Sequence, residues 1–385
     1  MKQINGFKNS WILTEEGFVK TNLIIKNGKI LSIGDEIVDD LIELEENKFV
    51  IPGLIDQHIH GAAGSDVIDG TIEGLYKMSC ALVEEGVTGY LATTTNQSIE
   101  VIDKSLEAVN EYINNNFEEG SEILGVHLEG PFICKKYMGA QLDNYILSPD
   151  LNVFKHFEEK SNNRIKLVSM AIEEDTTMEL IKYLKSKDIV ISVGHSAANY
   201  QDFKIGIENG VSCVTHTYNG MKPLRRDEIG TVGSSLLFDE LYCEAICDGV
   251  HISSPAVKLL VKNKPKDKFI LVTDALRTKY MPDGTYYELE QVIILKGKEA
   301  RLDNGKLAGS VLKMNEAIKN VMDFTGCDII TAIKFATENP AKNLGLFDIM
   351  GSIKENKLAN FVIVDKELNV YQTIRNGKIV YNKEK

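Results

Sequence analysis

The strongest constraint on the fold is a regular alternation of short β-branched runs with helical stretches between Ile51 and about Thr278. Strands that alternate with helices in this way pair in parallel. Eight parallel strands are the number that closes a (β/α)8 barrel. The eight runs are residues 53–61, 88–95, 123–130, 166–173, 188–196, 211–219, 241–251 and 268–275. We therefore predict an α/β fold with a (β/α)8 TIM-like barrel. A doubly wound open sheet is the alternative, but it gives no reason for polar residues at the ends of nearly all strands.

The two ends of the chain have a different pattern, short alternating strands that share the same N-G-K turn. One turn is Asn27-Gly28-Lys29 and the other is Asn376-Gly377-Lys378. Asn-Gly between alternating strands is a strong hairpin signal. We predict that residues 1–50 and 346–385 together form a small β-sandwich domain, beside a barrel domain of residues 51–345.

An insertion and two further helices follow the eighth predicted strand. The polar residues 281–307 contain Pro-Asp-Gly and Asp-Asn-Gly turns, which predict hairpins. Apolar periodicity predicts one helix over residues 314–324 and another over residues 327–339.

The composition excludes several classes of partner. The chain has 43 Lys and Arg against 56 Asp and Glu, a net charge of −13 that repels phosphate backbones and anionic lipids. No run reaches the roughly 18 to 20 apolar residues of a membrane-spanning helix, and the first residues lack the core of a signal peptide. The six cysteines form no C-x-x-C pair, which is typical of reduced thiols. We expect a cytoplasmic protein with no nucleic-acid or membrane partner.

Six of the seven histidines lie in predicted strands or at their C-terminal ends, where a barrel of this kind collects its reacting groups. His58 and His60 are two residues apart on the first strand, so their side chains face the same side. Glu129, His195 and His216 end the third, fifth and sixth strands. Imidazole and carboxylate groups that converge on the barrel axis match the ligands of Zn²⁺ or Fe²⁺. We predict a divalent-metal site at these five residues.

Three more residues have predicted roles near this site. Asp274 closes the eighth strand, and a carboxylate beside an activated water can shuttle a proton, so we predict that it is the general base. A helix N-cap is its alternative role. His251, at the end of the seventh strand, is expected to orient the substrate without binding metal. His127 lies two residues before Glu129 and is expected to fill the core or support the metal ligands.

Several motifs resemble the amidohydrolase superfamily. The run P-G-L-I-D-Q-H-I-H-G at residues 52–61 is similar to its opening signature. The motifs H-L-E-G-P at 127–131 and T-H-T-Y-N-G at 215–220 are typical of one branch, the N-acetylglucosamine-6-phosphate deacetylases, and the resemblance extends over nearly the whole chain. It implies a hydrolase of linear amides that removes acetate from N-acetylglucosamine 6-phosphate in amino-sugar catabolism.

The resemblance also implies details of the metal site. Glu129, His195 and His216 would hold the principal ion. Because this chain keeps His58 and His60, a second ion bridged by Glu129 is expected, which makes one or two ions per subunit. Other branches of the superfamily bridge two ions with a carboxylated lysine, and the glutamate on the third strand argues against them.

Substrate contacts are implied around the mouth of the barrel, at Ala140, Gln141, Asn219, Gly220, Arg226, His251, Leu307, Ala308 and Gly309. Two positions depart from the family pattern. Gln141 stands where relatives often have His, and the phosphate-binding arginine is displaced by one residue, so Arg225 and Arg226 are both candidates. Relatives commonly pair as homodimers whose loops reach the neighbour's pocket, and a homodimer is expected here.

Three alternative functions remain open at this level. One is deacetylation of the galacto epimer, and another is hydrolysis of a cyclic amide or a deamination by another branch of the superfamily. The third is a non-catalytic scaffold. A scaffold would be expected to lose metal ligands or the general base, and this chain retains all of them.

Overall fold

The structure is a computed structural model that describes residues 1–384. Its strands are β1 (Lys2–Gln3), β2 (Gly6–Thr14), β3 (Gly17–Lys26), β4 (Lys29–Gly34), β5 (Ile42–Glu43), β6 (Phe49–Pro52), β7 (Leu54–Ile59), β8 (Gly61–Ala62), β9 (Ser65–Asp66), β10 (Val87–Thr93), β11 (Glu122–Glu129), β12 (Ile165–Met170), β13 (Val190–Val193), β14 (Val211–Val214), β15 (Tyr242–Ala245), β16 (Phe269–Leu271), β17 (Gly284–Glu288), β18 (Gln291–Lys296), β19 (Glu299–Leu302), β20 (Phe361–Val364), β21 (Val370–Arg375) and β22 (Lys378–Asn382).

The α-helices are α1 (Ile72–Leu82), α2 (Ile99–Asn115), α3 (Leu151–Lys160), α4 (Glu179–Ser186), α5 (Tyr200–Asn209), α6 (Gly230–Leu237), α7 (Ser254–Asn263), α8 (Met314–Thr325), α9 (Ile329–Lys334) and α10 (Glu338–Asn343). Short 3₁₀ helices are formed by Val67–Asp69, Val83–Glu85, Lys135–Tyr137, Asp143–Tyr145, Ile172–Glu174 and Lys266–Lys268. Within residues 1–384, no helix combines the length and the apolar composition needed to cross a membrane.

Eight strands form the predicted parallel barrel and pair in the order of the sequence, β7, β10, β11, β12, β13, β14, β15 and β16. Backbone hydrogen bonds beyond the strand ends join the last strand to the first. The Asp274 N–H donates to the His58 carbonyl at 2.8 Å, and the His60 N–H donates to the Ala275 carbonyl at 3.0 Å. One large apolar core lies between the strands and the surrounding helices. The predicted fold class is confirmed.

Strands from both ends of the chain form a second, nine-stranded sheet. Its central strand β6 pairs with β2 on one side and with β20 on the other, so the two termini share one sheet and one apolar core. Each N-G-K turn joins neighbouring strands, and Asn27, Gly28, Asn376 and Gly377 all have positive φ, as a two-residue hairpin requires. The small β domain is confirmed as an architecture, while its limits at residues 50 and 346 remain a prediction.

The prediction of one continuous helix over residues 327–339 is wrong. The structure has two short helices, α9 and α10, separated by residues 335–337. Pro340 explains the break, because the ring of a proline inside a helix clashes with the carbonyl four residues earlier, here that of Ala336. Helix α9 ends before Ala336, and α10 begins at Glu338. Pro340 therefore lies in the first turn of α10, where a proline is tolerated.

The insertion forms a three-stranded antiparallel sheet, β17–β18–β19, and this agrees with the hairpins predicted from its turn residues. The turns between the three strands lie at residues 289–290 and 297–298, and Pro-Asp-Gly ends at the first residue of β17. Asp-Asn-Gly turns the chain after β19, where Leu307 pairs with Arg301 in an antiparallel bridge, so the predicted hairpin at this motif is confirmed. The sheet contacts the barrel mouth, since the Gln291 amide donates to the Ala140 carbonyl at 2.7 Å. The insertion therefore contributes a wall at the C-terminal end of the barrel.

A buried ion pair joins the segment after β16 to the segment before β10. Lys279 Nζ lies 2.5 Å from Glu85 Oε1, and both side chains are fully buried. Glu85 Oε2 also accepts from the Met314 N–H at 3.0 Å. Burial raises the pKa of Glu85 to about 7, although the charge of Lys279 opposes the rise.

We expect Lys279→Met to lower the free energy of unfolding by about 3–5 kcal/mol, because it leaves a buried carboxyl group without its cation. Removing that cation raises the pKa of Glu85 further. A raised pKa in the folded state makes stability fall as pH rises, so the deficit relative to the unsubstituted protein should be larger near pH 8 than near pH 5. Urea denaturation at the two pH values measures it.

Lys354→Met is the matched control, because Lys354 pairs with Glu15 at 3.0 Å but its side chain is 61% exposed. An exposed pair of this kind contributes about 0–1 kcal/mol. Equal losses in the two variants would contradict the prediction.

Candidate active site

The predicted metal ligands and the predicted base meet at the C-terminal mouth of the barrel. They are His58, His60, Glu129, His195, His216 and Asp274, and each is between 0% and 9% exposed. His58 lies on β7, Glu129 ends β11, and the other four lie just beyond the ends of β7, β13, β14 and β16. Segments that are distant in the sequence thus bring imidazoles and carboxylates to one place.

The six side chains form two groups of three, and in each group the potential ligand atoms lie within 4.8 Å of one another. The groups are Glu129, His195 and His216, and His58, His60 and Asp274. Glu129 lies between them, because its Oε1 is 3.1 Å from His216 Nε2 and its Oε2 is 3.2 Å from His60 Nε2. A carboxylate in this position can bridge two ions.

The nitrogen atoms in these groups are arranged as ligands. His195 Nε2 and His216 Nε2 lie 3.1 Å apart, close to the roughly 3.3 Å between ligands of a tetrahedral ion with metal–nitrogen bonds of 2.0–2.1 Å. His195 Nδ1 donates to the Tyr137 carbonyl at 3.0 Å, which leaves the Nε2 lone pair facing the cluster. His58 Nε2 is buried and has no hydrogen-bond partner in the described part of the chain. These donor atoms fit a divalent metal ion.

The charges of the cluster also favour a cation. Burial opposes protonation of His58 and His60, but the carboxylates of Glu129 and Asp274 outweigh it and raise both pKa values, that of His60 to about 10. Burial likewise acts to raise the pKa values of Glu129 and Asp274, and the neighbouring imidazoles lower them nonetheless. The negative potential that holds protons on these histidines would hold a divalent ion in their place.

The backbone turns sharply where three of these residues leave the strands. His195, His216 and Asp274 have φ values of 47°, 29° and 47°. A left-handed conformation costs a residue other than glycine about 1–3 kcal/mol, and it persists only where the surrounding structure imposes it. Gly220 packs against the ring of His195 so closely that a Cβ atom at position 220 would lie 2.7 Å from His195 Nδ1.

A cavity opens above the cluster, and most of the predicted substrate contacts line it. These are Ala140, Gln141, Asn219, Gly220, His251, Leu307 and Ala308, while Gly309 follows this wall without lining it. Gln141 is oriented toward Glu129, since its Nε2 donates to Glu129 Oε2 at 3.0 Å and its Oε1 accepts from the Asn96 N–H at 2.9 Å. The Gln141 amide therefore fixes the orientation of the Glu129 carboxylate, which lies between the two groups of ligands.

His251 and His127 have different surroundings. His251 is in the cavity wall, and its Nδ1 lies 2.6 Å from Asp248 Oδ2. Burial opposes protonation of His251, but Asp248 outweighs it and raises the pKa. His127 lies outside the cavity wall, and its Nε2 contacts Ser169 Oγ at 2.7 Å. Burial lowers the pKa of His127 well below its usual value, so its ring is neutral and packs edge-on against His58.

The two candidate phosphate-binding arginines do not line this cavity. Arg225 and Arg226 are both exposed, and the Arg225 guanidinium lies 3.4 Å from Asp227. The cavity wall, as far as the described residues form it, contains no Lys or Arg. The structure of one chain therefore does not bring either arginine to the cavity.

Two parts of the site were not predicted from the sequence. The first is the wall formed by the insertion, with Glu288, Gln291 and Ile293, whose strands carry no motif. The second is Glu244, a fully buried carboxylate behind His58. A charged residue in the middle of an apolar predicted strand was the available signal for Glu244.

Known proteins are similar to this chain both in sequence and in fold. The Amidohydrolase family model matches residues 49–380. A protein of Bacillus subtilis (strain 168), named N-acetylglucosamine-6-phosphate deacetylase, is 37% identical over 97% of this chain and 96% of its own length. One of the same name from Lysinibacillus sphaericus is 38% identical over 92% of each chain. The crystal structure of N-acetylglucosamine-6-phosphate deacetylase from Thermotoga maritima is similar with a TM-score of 0.89 at 35% identity, covering 98% of this chain and 100% of that one. The chain therefore belongs to the amidohydrolase family, and within it to the family of the N-acetylglucosamine-6-phosphate deacetylases.

Proposed function

We propose that this protein hydrolyses the acetamide of N-acetylglucosamine 6-phosphate to glucosamine 6-phosphate and acetate, in amino-sugar catabolism. The observation that carries the proposal is the convergence of the buried imidazoles and Glu129 beside Asp274, below a cavity at the barrel mouth. A scaffold protein would have no reason to keep this arrangement, because six buried polar groups around one point cost stability unless a cation pairs with them.

The residues present suit Zn²⁺ or Fe²⁺, since both accept imidazole and carboxylate ligands. Glu129, His195 and His216 would hold the first ion, and His58 and His60 would hold a second with Glu129 shared between them. When bound, such an ion makes a water molecule more acidic and polarises a carbonyl oxygen.

Asp274 is placed to move the proton. Its lowered pKa keeps it ionised at neutral pH, and its Oδ1 lies 3.1 Å from His60 Nε2, at the floor of the cavity. It can accept a proton from the attacking water and return it to the sugar nitrogen when the carbon–nitrogen bond breaks. Without that return the amine would be a poor leaving group, so one carboxylate serves both steps.

The cavity wall orients the sugar. His251 is held through Nδ1 by Asp248, which leaves Nε2 free to contact a substrate oxygen. Asn219 and Gly220 follow His216 directly, and Leu307 and Ala308 form another part of the wall. Peptide groups and an amide in these positions can hydrogen-bond the hydroxyl groups of the sugar.

The phosphate of the substrate needs a cation in a protein whose net charge is −13. Since the cavity wall of the described chain contains no Lys or Arg, we infer that Arg226 reaches the cavity of the partner in a homodimer. A cytoplasmic location fits the six free cysteines.

Acetate release from N-acetylglucosamine 6-phosphate is the direct test. We expect the metal-loaded protein to release acetate from it, and to act at least tenfold less well on the unphosphorylated sugar because a charge-assisted contact is lost. N-acetylgalactosamine 6-phosphate should be the poorer epimer. Release of ammonia, or equal activity with and without phosphate, would contradict the proposal.

Asp274→Asn should lower kcat for acetate release by about 10²- to 10⁴-fold, because an amide cannot accept the proton. The ion at Glu129, His195 and His216 should be retained, as metal analysis of the purified variant can show. Asp303→Asn, in an exposed turn, is the matched control and should change neither quantity. Preserved metal with near-unchanged acetate release would rule out Asp274 as the base.

Arg226→Ala should raise KM for the phosphorylated sugar by about 10- to 100-fold and leave the unphosphorylated sugar unaffected. Arg225→Ala is the control, because Arg225 already faces Asp227. Equal effects of the two changes would argue against Arg226 as the phosphate ligand. A monomeric, fully active enzyme in sedimentation analysis would argue against its supply by a partner.

A further inference from the structure

Glu244 is a carboxylate inside the barrel that the proposed reaction does not use. It lies on β15, its side chain is fully buried, and it does not line the cavity. Among the described residues, the only potentially cationic side chain within ion-pair distance of Glu244 is His58, at 3.0 Å. A buried carboxylate without a lysine or arginine is costly, so its contacts need an explanation.

Both oxygens of Glu244 accept hydrogen bonds. Oε1 accepts from the Gln57 amide at 2.6 Å. Oε2 lies 3.0 Å from His58 Nδ1 and accepts from the His216 N–H at 3.2 Å. Gln57 is held in turn, because its Oε1 accepts from the Asn343 amide at 3.1 Å. The carboxylate is therefore fixed from both sides, and one of its oxygens touches a residue from each of the two ligand groups.

These contacts determine which nitrogen of His58 carries hydrogen. A carboxylate can only accept, so the hydrogen in this contact belongs to His58 Nδ1. When His58 is neutral, as a metal ligand must be, its lone pair is therefore on Nε2. His58 Nε2 faces the cluster, 3.4 Å from Glu129 Oε1 and 3.5 Å from Asp274 Oδ1. This is the tautomer and the ring orientation that a metal ligand needs.

The other histidines lack a comparable support. His195 Nδ1 donates to a backbone carbonyl, that of Tyr137. Nδ1 of His60 and Nδ1 of His216 have no hydrogen-bond partner in residues 1–384. Of the four histidines, only His58 has a carboxylate in contact with its Nδ1 atom. His58 belongs to the ligand group with His60 and Asp274. An effect of Glu244 through an imidazole should therefore fall on the second ion and not on the first.

We propose that Glu244 is a positioning residue that secures the second metal ion, by fixing the tautomer and orientation of His58 and increasing its strength as a ligand. The inference rests on the two-ion centre proposed above. A carboxylate behind a metal-binding histidine changes metal affinity by about 10- to 100-fold in comparable sites. The presence of Glu244 thus decides whether the ligands on the first strand hold an ion tightly.

The test is metal binding by the full-length protein, with Co²⁺ as the probe. Co²⁺ is added to the metal-free protein while its visible absorption is followed, and metal content is measured after dialysis. The substitution is Glu244→Gln, which keeps the volume and an oxygen that can accept from His58. Glu158→Gln is the matched control, because Glu158 is also buried but contacts Tyr183 outside the barrel mouth. His58→Asn removes the ligand itself.

We expect two ions in the unsubstituted protein and in Glu158→Gln. In Glu244→Gln the first ion should bind as before, and the second should bind about 10- to 100-fold more weakly. His58→Asn should lose the second ion, and adding Glu244→Gln to it should cause no further change. The absorption change of the second ion should differ between Glu244→Gln and the unsubstituted protein, because the ligand field at His58 differs.

Three results would overturn the inference. The first is two ions bound with unchanged affinity in Glu244→Gln. The second is parallel weakening of both ions, which would indicate a merely structural role. The third is a single ion in the unsubstituted protein, which would leave the deacetylase proposal intact if acetate is still released. Conversely, selective weakening of the second ion without acetate release would support the role of Glu244 and contradict the proposed reaction.

Discussion

The Glu129 carboxylate is the centre on which the rest of the site depends. It is 1% exposed, and its two oxygens face different groups of nitrogen ligands, at 3.1 Å from His216 and 3.2 Å from His60. A buried carboxylate in this position is stable only with positive charge on both sides. The same requirement explains why imidazoles surround it, and Gln141 adds a neutral hydrogen-bond donor to Oε2, the oxygen that also faces His60.

The barrel supplies this arrangement through the way it closes. Hydrogen bonds from Asp274 to His58 and from His60 to Ala275 join the two ends of the sheet. They place the predicted base beside the first-strand histidines, although these residues are more than 200 positions apart in the chain. Left-handed turns after the strands then direct His195, His216 and Asp274 to the axis. A bound divalent ion would offset the cost of these turns, because it would pair with the charges that they bring together.

The polar layer behind the ligands has a different role from the cavity wall. Glu244, Gln57 and Asn343 form a chain of hydrogen bonds inside the barrel that ends at His58. The wall, by contrast, combines loops after the strands with the sheet inserted after β16, including Gln291. The first arrangement contacts the predicted metal ligands, and the second lines the cavity in which we propose that the substrate binds. Gln141 joins the two arrangements, because it lines the cavity and donates to Glu129 Oε2 at 3.0 Å.

Much of this could be predicted from the sequence. Local patterns sufficed for the eight strands, the N-G-K hairpins and the six polar residues at strand ends, because alternation, turn chemistry and the geometry of parallel barrels act over short stretches. The break between α9 and α10 also had a local cause, Pro340, which the prediction of a continuous helix overlooked. Glu244 and Gln291 were different, because their partners lie 186 and 151 residues away. The sequence by itself thus determined the barrel, the hairpins of the terminal β domain and the polar side chains at the strand ends. Only the tertiary structure decided which oxygen faces which nitrogen, which side chain orients His58, and that Arg226 lies outside its own cavity, because these are contacts between distant segments that no local pattern encodes.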